Sequence, residues 1–418
     1  METGHFPSVL AALVATLIAT KLFGELAQRI RQPAVLGELL AGIVLGGSLL
    51  GVLDPSDPVM HALGELGVLV LLFEIGLHTD LRSLVRVGGS ATAVGLVGVA
   101  LPFALGDLAA RQLGLSPMAA LVAGAALTAT SIGISARVLA DLGQLDRPEG
   151  QIVLGAAVLD DVVGLVILSV VSTIAAGAGV SVGGIAVTAA VAVGFIAAAI
   201  LVGQLLAPPV FRWVDQLEQS GALGVMALAF AFLLAWVAWR IGSAMIIGAF
   251  AAGLVVHRTP QRHGIERATA SVGYLVVPIF FAVVGAQVDL RSLLDRQVLL
   301  VGGVLVIVAV VGKFAAGYAP VWFRGDKALI GVAMIPRGEV GLIFAQMGLT
   351  EGVLDAGMFS AITMMVVVTT FAAPIALGRM ARRTTPRTEQ ERAGDGGIDD
   401  LVAGARASPD DARSGADG

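Results

Sequence analysis

Two adjacent carboxylates, Asp160 and Asp161, stand in the middle of the apolar run GAAVLDDVVGLVIL. If that run is a membrane helix, its rise of about 1.5 Å per residue puts the pair roughly 13 Å from the nearer edge, close to the midplane. An ionised side chain at that depth costs on the order of 3 kcal/mol or more, so residues of this kind are read as functional by default. Consecutive helical positions point about 100° apart, so the two carboxylates cannot share one job. One can face a partner helix while its neighbour faces a water-filled cavity. The run VVGKFAAGY supplies a partner in Lys313, at a similar expected depth. Burial opposes the charged form of either group, and their attraction favours it. A carboxylate balanced in this way can hold a proton and a cation in turn, as exchange through one site requires. A static ion pair that fixes helix register is the competing explanation.

Two further runs carry polar groups near mid-depth, LTATSIGISARVL and VAMIPRGEVGLIF. Thr128, Thr130, Ser131 and Ser135 compete for backbone hydrogen bonds and weaken a regular helix. Pro336 removes a backbone donor and Gly338 adds freedom, so a break is expected there, with the charges of Arg337 and Glu339 beside it. Carbonyls freed at such breaks, with hydroxyls next to them, are hard oxygen ligands for a desolvated alkali cation. Glu74 and Glu38 also lie within apolar runs, where each could equally snorkel or cap a neighbouring helix.

The elements that position these groups must sit in a bilayer. Of the 418 residues, 57% are hydrophobic and 14% charged, and the mean hydropathy is +0.90; a soluble domain carries roughly 25% charged residues. About thirteen apolar runs follow one another, most long enough to cross about 30 Å of hydrocarbon. They are expected over 7–23, 33–51, 60–77, 87–106, 117–139, 151–175, 183–206, 220–239, 241–256, 270–286, 298–320, 327–348 and 354–378. Between the eighth and ninth runs, Trp239, Arg240 and Gly242 leave almost no loop, and one long kinked helix is the alternative. The first run lacks a basic leader, so a retained helix is expected rather than a cleaved signal. No cysteine is present, which excludes disulfides and thiolate chemistry.

Basic residues crowd one set of alternate loops, including Arg29, Arg82, Arg86, Arg137, Arg147, Arg258, Arg324 and Lys327, whereas the other set holds Arg111, Arg240, Arg291 and Arg296. The positive-inside rule therefore puts the N-terminus outside and the C-terminus in the cytoplasm, in a multi-pass protein of the cell's inner (plasma) membrane. From 384 to 418 the chain turns polar, as in TTPRTEQERAGDGG, and a disordered cytoplasmic tail is expected. IGLHTDLRSL at 75–84 matches VGAQVDLRSL at 284–293, and LGELLAGIVLG at 36–46 echoes IGAFAAGLVVH at 247–257. The matched pairs lie seven expected spans apart, so direction reverses between them, which is the pattern of an inverted-topology repeat of six helices, a linker and six more. DLRSL itself reads as a surface linker, not as chemistry.

On these residues the chain resembles the monovalent cation:proton antiporter family, in the bacterial branch that groups sodium/proton antiporters with glutathione-gated potassium efflux systems. The resemblance covers about 7–380 and rests on PAVLGELLAGIVLG, FEIGLHTDL, TATSIGISARVLADLG, PEGQIVLGAAVLDDVVGL, FFAVVGAQVDL, Lys313 in VVGKFAAG, and IPRGEVGLIFAQ. It implies an all-α membrane fold with two crossing discontinuous helices in the TATS and PRGEVG segments. It also implies that Asp161 is the ion-binding carboxylate and Asp160 the partner of Lys313. By the same resemblance the membrane unit, 1–383, divides into a core domain over 87–175 and 298–380, a dimerisation domain over 7–77 and 220–286, and a linker helix over 183–206. The family's members are typically homodimers that work like an elevator.

The resulting reading is exchange of sodium (or lithium) for protons, with Asp161, Asp160, Thr130 and Ser131 as the cation/proton site and Lys313, Arg337 and Glu339 tuning it. An Asp-Asp pair without a large regulatory domain departs from the potassium efflux members, which commonly carry Gln-Asp. Potassium/proton exchange and a passive cation channel are the alternatives. A membrane enzyme is disfavoured, because no histidine stands beside the Asp pair. Nothing in the pattern calls for a cofactor or for nucleic acid.

Overall fold

The computed structural model describes residues 5–384, apart from 31, 176–181, 218, 220 and 289–294. The tail from 385 and the second DLRSL copy, with Asp289 and Arg291, lie outside the described residues. All regular structure among the described residues is helical. It runs α1 (His5–Arg29), α2 (Ala34–Leu45), α3 (Pro58–His78), α4 (Leu81–Arg86), α5 (Gly88–Gln112), α6 (Pro117–Ala126), α7 (Ile132–Asp141) and α8 (Pro148–Ala175). The second half holds α9 (Val182–Asp215), α10 (Ala222–Arg240), α11 (Met245–Val256), α12 (Arg262–Ala286), α13 (Arg296–Ala316), α14 (Lys327–Ala333), α15 (Glu339–Thr350) and α16 (Ala356–Thr384). Among the described residues, nine helices are long and apolar enough to cross a membrane, and α2, α6, α11 and most of α15 are shorter apolar helices.

Local chemistry sets most boundaries. Asp57, Asp295 and Asp326 cap α3, α13 and α14 by accepting backbone N–H bonds, and Ser116 caps α6 ahead of Pro117. Asp80 caps the short α4, accepting from Arg82 N at 3.1 Å, in keeping with the linker reading of the first DLRSL. Gly242 adopts the left-handed conformation (φ 81°), which lets α10 end at Arg240 and α11 begin at Met245 with a four-residue connection. Two expected runs, 117–139 and 327–348, are each split into two helices. The run expected from 270 begins eight residues earlier, at Arg262. Its polar first turns are held by His263–Glu266 and by Arg267 bonding back to His263 O, support that a hydropathy window does not register.

Helices α1, α2, α3, α10, α11 and α12 pack on one another, with α9 alongside α10 and α11; α5, α6, α8 and α13 to α15 form a second set of packing neighbours. Glycines let backbones meet in the first set. Gly42 of α2 lies against the backbone of Ala282 on α12, and Gly285 of α12 lies against the carbonyl of Leu39. The same contact recurs with the halves exchanged: Gly253 of α11 lies against Phe73 and Leu77 of α3, and Gly76 of α3 against Phe250. These glycines belong to the two matched sequence pairs.

A Cβ added at Gly42 would sit 2.8 Å from the carbonyl carbon of Ala282, and one at Gly253 would sit 2.6 Å from Leu77 N. Neither neighbour is a side chain that can swing away. Gly42→Ala and Gly253→Ala are each expected to destabilise by roughly 1–3 kcal/mol through overpacking. Gly47→Ala, whose Cβ would meet nothing within 4 Å, is expected to leave the melting temperature of the purified protein unchanged.

Candidate ion site at the helix breaks

The non-helical stretches 127–131 and 334–338 cross inside the bundle. Ser131 N donates to Pro336 O at 2.9 Å, joining one break directly to the other. Ser135 Oγ donates to Ala333 O at 2.7 Å, and Arg337 Nη1 donates to Ala129 O at 2.7 Å. Thr370 of α16 closes the set by donating from Oγ1 to Arg337 O at 2.5 Å. Each bond satisfies a carbonyl that the interrupted helix has left without its own partner. Gly338 is needed because a Cβ there would lie 2.8 Å from Ser131 Oγ.

Asp160 and Asp161 are brought to this crossing by α8, and both are buried. Lys313 Nζ of α13 donates to Asp160 Oδ2 at 2.5 Å, and Thr130 Oγ1 donates to the same oxygen at 2.7 Å while also reaching Met334 O at 3.2 Å. Asp160, Lys313 and Arg337 have no exposed surface at all. The ammonium fits because Gly98 of α5 leaves room: a Cβ there would stand 3.3 Å from Nζ. Arg337 lies within electrostatic reach of both Asp160 and Lys313. Fully ionised, the two carboxylates and the two cations cancel.

Asp161 points elsewhere. It lines a cavity of about 890 Å³ bounded by α3, α8, the end of α10 and its connection to α11, and α11, α12, α15 and α16. The cavity extends to the end of the bundle where α3 begins and α12 and α15 finish, reaching His61, Glu65, Gln287 and Gln346. Asp160, Thr130, Ser131, Lys313 and Arg337 are not among its lining residues. The offset of about 100° between neighbouring helical positions thus separates the pair, with one carboxylate bonded into the crossing and the other on the cavity wall.

Of the residues singled out from sequence, Asp160, Thr130 and Lys313 form one bonded cluster, Ser131 and Arg337 brace the crossing, and Asp161 stands at the cavity. Glu339 opens α15, and its side chain lies outside what the structure describes. Thr370 was not legible in sequence, because a lone threonine in an apolar run usually bonds back into its own helix. The carbonyls of Ala129, Ala333 and Met334 carry no residue-type signal either; only the neighbouring proline and hydroxyls mark where backbone is released.

A sequence model of the family described as "Sodium/hydrogen exchanger, transmembrane" matches residues 9–383. The chain is similar to the high-affinity Na(+)/H(+) antiporter NhaS3 of Synechocystis, at 38% identity over 89% of this chain and 90% of that protein. It is also similar to the Na(+)/H(+)-K(+) antiporter GerN of Bacillus cereus, at 34% identity over 86% of this chain and 92% of that one. The solved structure of the sodium proton antiporter MjNhaP1 from Methanocaldococcus jannaschii shares the fold, with a TM-score of 0.65, 16% identity, and coverage of 90% of this chain and 97% of that one.

The buried pair makes a stability prediction. Lys313→Met leaves Asp160 without its main partner and is expected to destabilise by roughly 3–5 kcal/mol. Adding Asp160→Asn to Lys313→Met removes the stranded charge and is expected to recover most of that loss. Thermal unfolding of the two single variants and the double variant reads the coupling; additive losses would mean that the pair contributes nothing as a pair.

Proposed function

The chain belongs to the sodium/hydrogen exchanger family of monovalent cation:proton antiporters, and on that premise we propose that it exchanges Na+, or Li+, for H+ by alternating access. The observation that carries the proposal is the divergence of the Asp pair: Asp161 on the cavity wall, Asp160 bonded to Lys313 and Thr130. Asp161 is the ligand that takes a proton or a dehydrated cation from the cavity. Asp160, Lys313 and Arg337 set the field around it, and Thr130 and Ser131 hold the broken helices in place beside it. Because the four charged groups cancel when ionised, an empty Asp161 is neutralised by the protein's own cations. A bound cation or proton therefore adds one positive charge to a site otherwise in balance.

Movement follows the helix sets. In the proposed cycle α5 to α8 and α13 to α16 form the core that carries Asp161, and α1 to α3 with α10 to α12 form the frame, with α9 as the linker. The frame has broad apolar surface on α1 and α10, where Leu10, Ile18, Leu22, Val225 and Leu233 are exposed, and this surface suits lipid and a second copy of the chain in a homodimer. By the distribution of basic loop residues, the cavity faces outside and the C-terminus lies in the cytoplasm. A channel would need a pore continuing past Asp161, whereas Gly133 of α7 faces the side chains of Leu71, Val68 and Phe280, and Val68 and Phe280 belong to the cavity wall.

The name of GerN joins sodium and potassium, which gives potassium/proton exchange a specific footing. One assay separates the readings: proton flux in sealed vesicles with a preset pH gradient, after additions of sodium, lithium or potassium, for the wild type and Asp161→Asn. The expected result is a sodium and lithium response that Asp161→Asn reduces by at least about a hundredfold, in line with loss of an essential ionisable group. A response to potassium alone would replace the first reading by the second. Unchanged exchange in Asp161→Asn would remove the carboxylate from the mechanism.

A further inference from the structure

We infer that Arg137 is an electrostatic latch that, with Glu38 of α2 and Glu74 of α3, holds shut the end of the bundle opposite the cavity. The inference rests on the alternating-access reading, because a latch matters only if that end opens. Arg137 lies near the end of α7, one turn before Asp141, with which it pairs at 3.1 Å. Helix α7 packs against both α2 and α3. Glu38 is only 4% exposed, and the Glu74 carboxylate is pressed against Gly273 of α12, where a Cβ would lie 2.9 Å from Oε2.

Both glutamates interact electrostatically with Arg137. Glu38 also senses Lys21 and Asp141, and Glu74 senses His78 and Glu266. Glu38 Oε2 and Glu74 Oε1 are buried without a hydrogen-bond partner among the described residues. The field of Arg137 is therefore a main compensation for two carboxylates on two helices of the frame, while Arg137 itself rides on the core. Moving α7 away from α2 and α3 would take that cation from both at once, and stranding a buried charge is strongly unfavourable. Between the latch and the cavity the contact is apolar: Gly133, one turn before Arg137, faces Leu71, Val68 and Phe280, and the last two also line the cavity. The latch thus opposes the conformation in which Asp161 would reach the other side.

The absence of cysteine allows a direct test. Ser360→Cys places a single thiol on the cavity wall, and its rate of modification by a water-soluble maleimide, in purified protein in nanodiscs, reports how often that cavity is open. Adding Arg137→Gln is expected to lower that rate by at least about fivefold, a coupling of ordinary allosteric size. Glu38→Gln with Glu74→Gln is expected to act in the same direction, and Arg137→Lys to restore much of the rate. Thermal melting of each variant separates a shift between conformations from loss of fold. Should Arg137→Gln fail to fold, the paired glutamine variant carries the test. An unchanged labelling rate in folded variants would overturn the latch. Because labelling needs no transport, it is decided separately from the vesicle assay: exchange can fail there while the conformational coupling stands, and the reverse.

Discussion

A backbone that stops being helical inside an apolar layer must find new partners for every N–H and C=O it releases, and the architecture follows from how that demand is met. The stretches 127–131 and 334–338 release their groups at one place, where each supplies what the other lacks. Ser131 N reaches Pro336 O, Ser135 reaches Ala333 O, Arg337 reaches Ala129 O, and Thr370 reaches Arg337 O. The three bonds that join the two broken segments are lost if either break is removed. The proline, the glycine, the hydroxyls and the arginine are therefore one requirement expressed four ways. A helix carried straight through either segment would leave the opposite carbonyls buried and unpaired.

That crossing also determines what can be done with charge. Asp160 is tolerable because Lys313, Thr130 and the nearby Arg337 are already fixed around it, and none of these can turn away without losing its own place. Helix geometry then turns its neighbour on α8 toward the cavity wall. Adjacent aspartates are thus an economical arrangement: one backbone segment holds both a carboxylate bonded into the crossing and one on the cavity wall, and the first fixes the orientation of the second. If the pair were separated by three or four positions, both would share a face and compete for Lys313.

Much of this was legible in the chain. Hydropathy marked the apolar runs, and the Asp pair, Lys313, the hydroxyl cluster and Pro336 with Gly338 stood out because each is out of place in hydrocarbon. What could not be read are relations between elements far apart in sequence. Arg137 looks like one more loop cation when only its apolar run is considered, and its role depends on Glu38 and Glu74 arriving from two other helices. Thr130 carries the right chemistry, but its hydroxyl is used by Asp160 and Met334 O and does not face the cavity, and only side-chain geometry settles that. The early start of α12 was hidden for another reason: its first turns are stabilised by local polar pairs, which a hydrophobicity criterion counts against a helix.

The two kinds of helix contact in the molecule suggest where motion can occur in the proposed cycle. Where Gly42 meets Ala282, or Gly253 meets Phe73 and Leu77, backbone lies on backbone and no rotamer change can relieve a displacement. Such contacts lock α2, α3, α11 and α12 into one body. At the seam beside Gly133 the surfaces are instead the ends of Leu71, Val68 and Phe280, which can repack at small cost as one surface slides past another. A boundary made only of such side chains would slip freely and would leak protons past Asp161. In the proposed cycle the charges of Arg137, Glu38 and Glu74 favour the arrangement in which α7 stays beside α2 and α3, because moving α7 away takes the cation from both carboxylates. An apolar seam that can repack at small cost is thus held in one arrangement by a few charges at its end, of which Glu38 is buried and Arg137 and Glu74 are partly so.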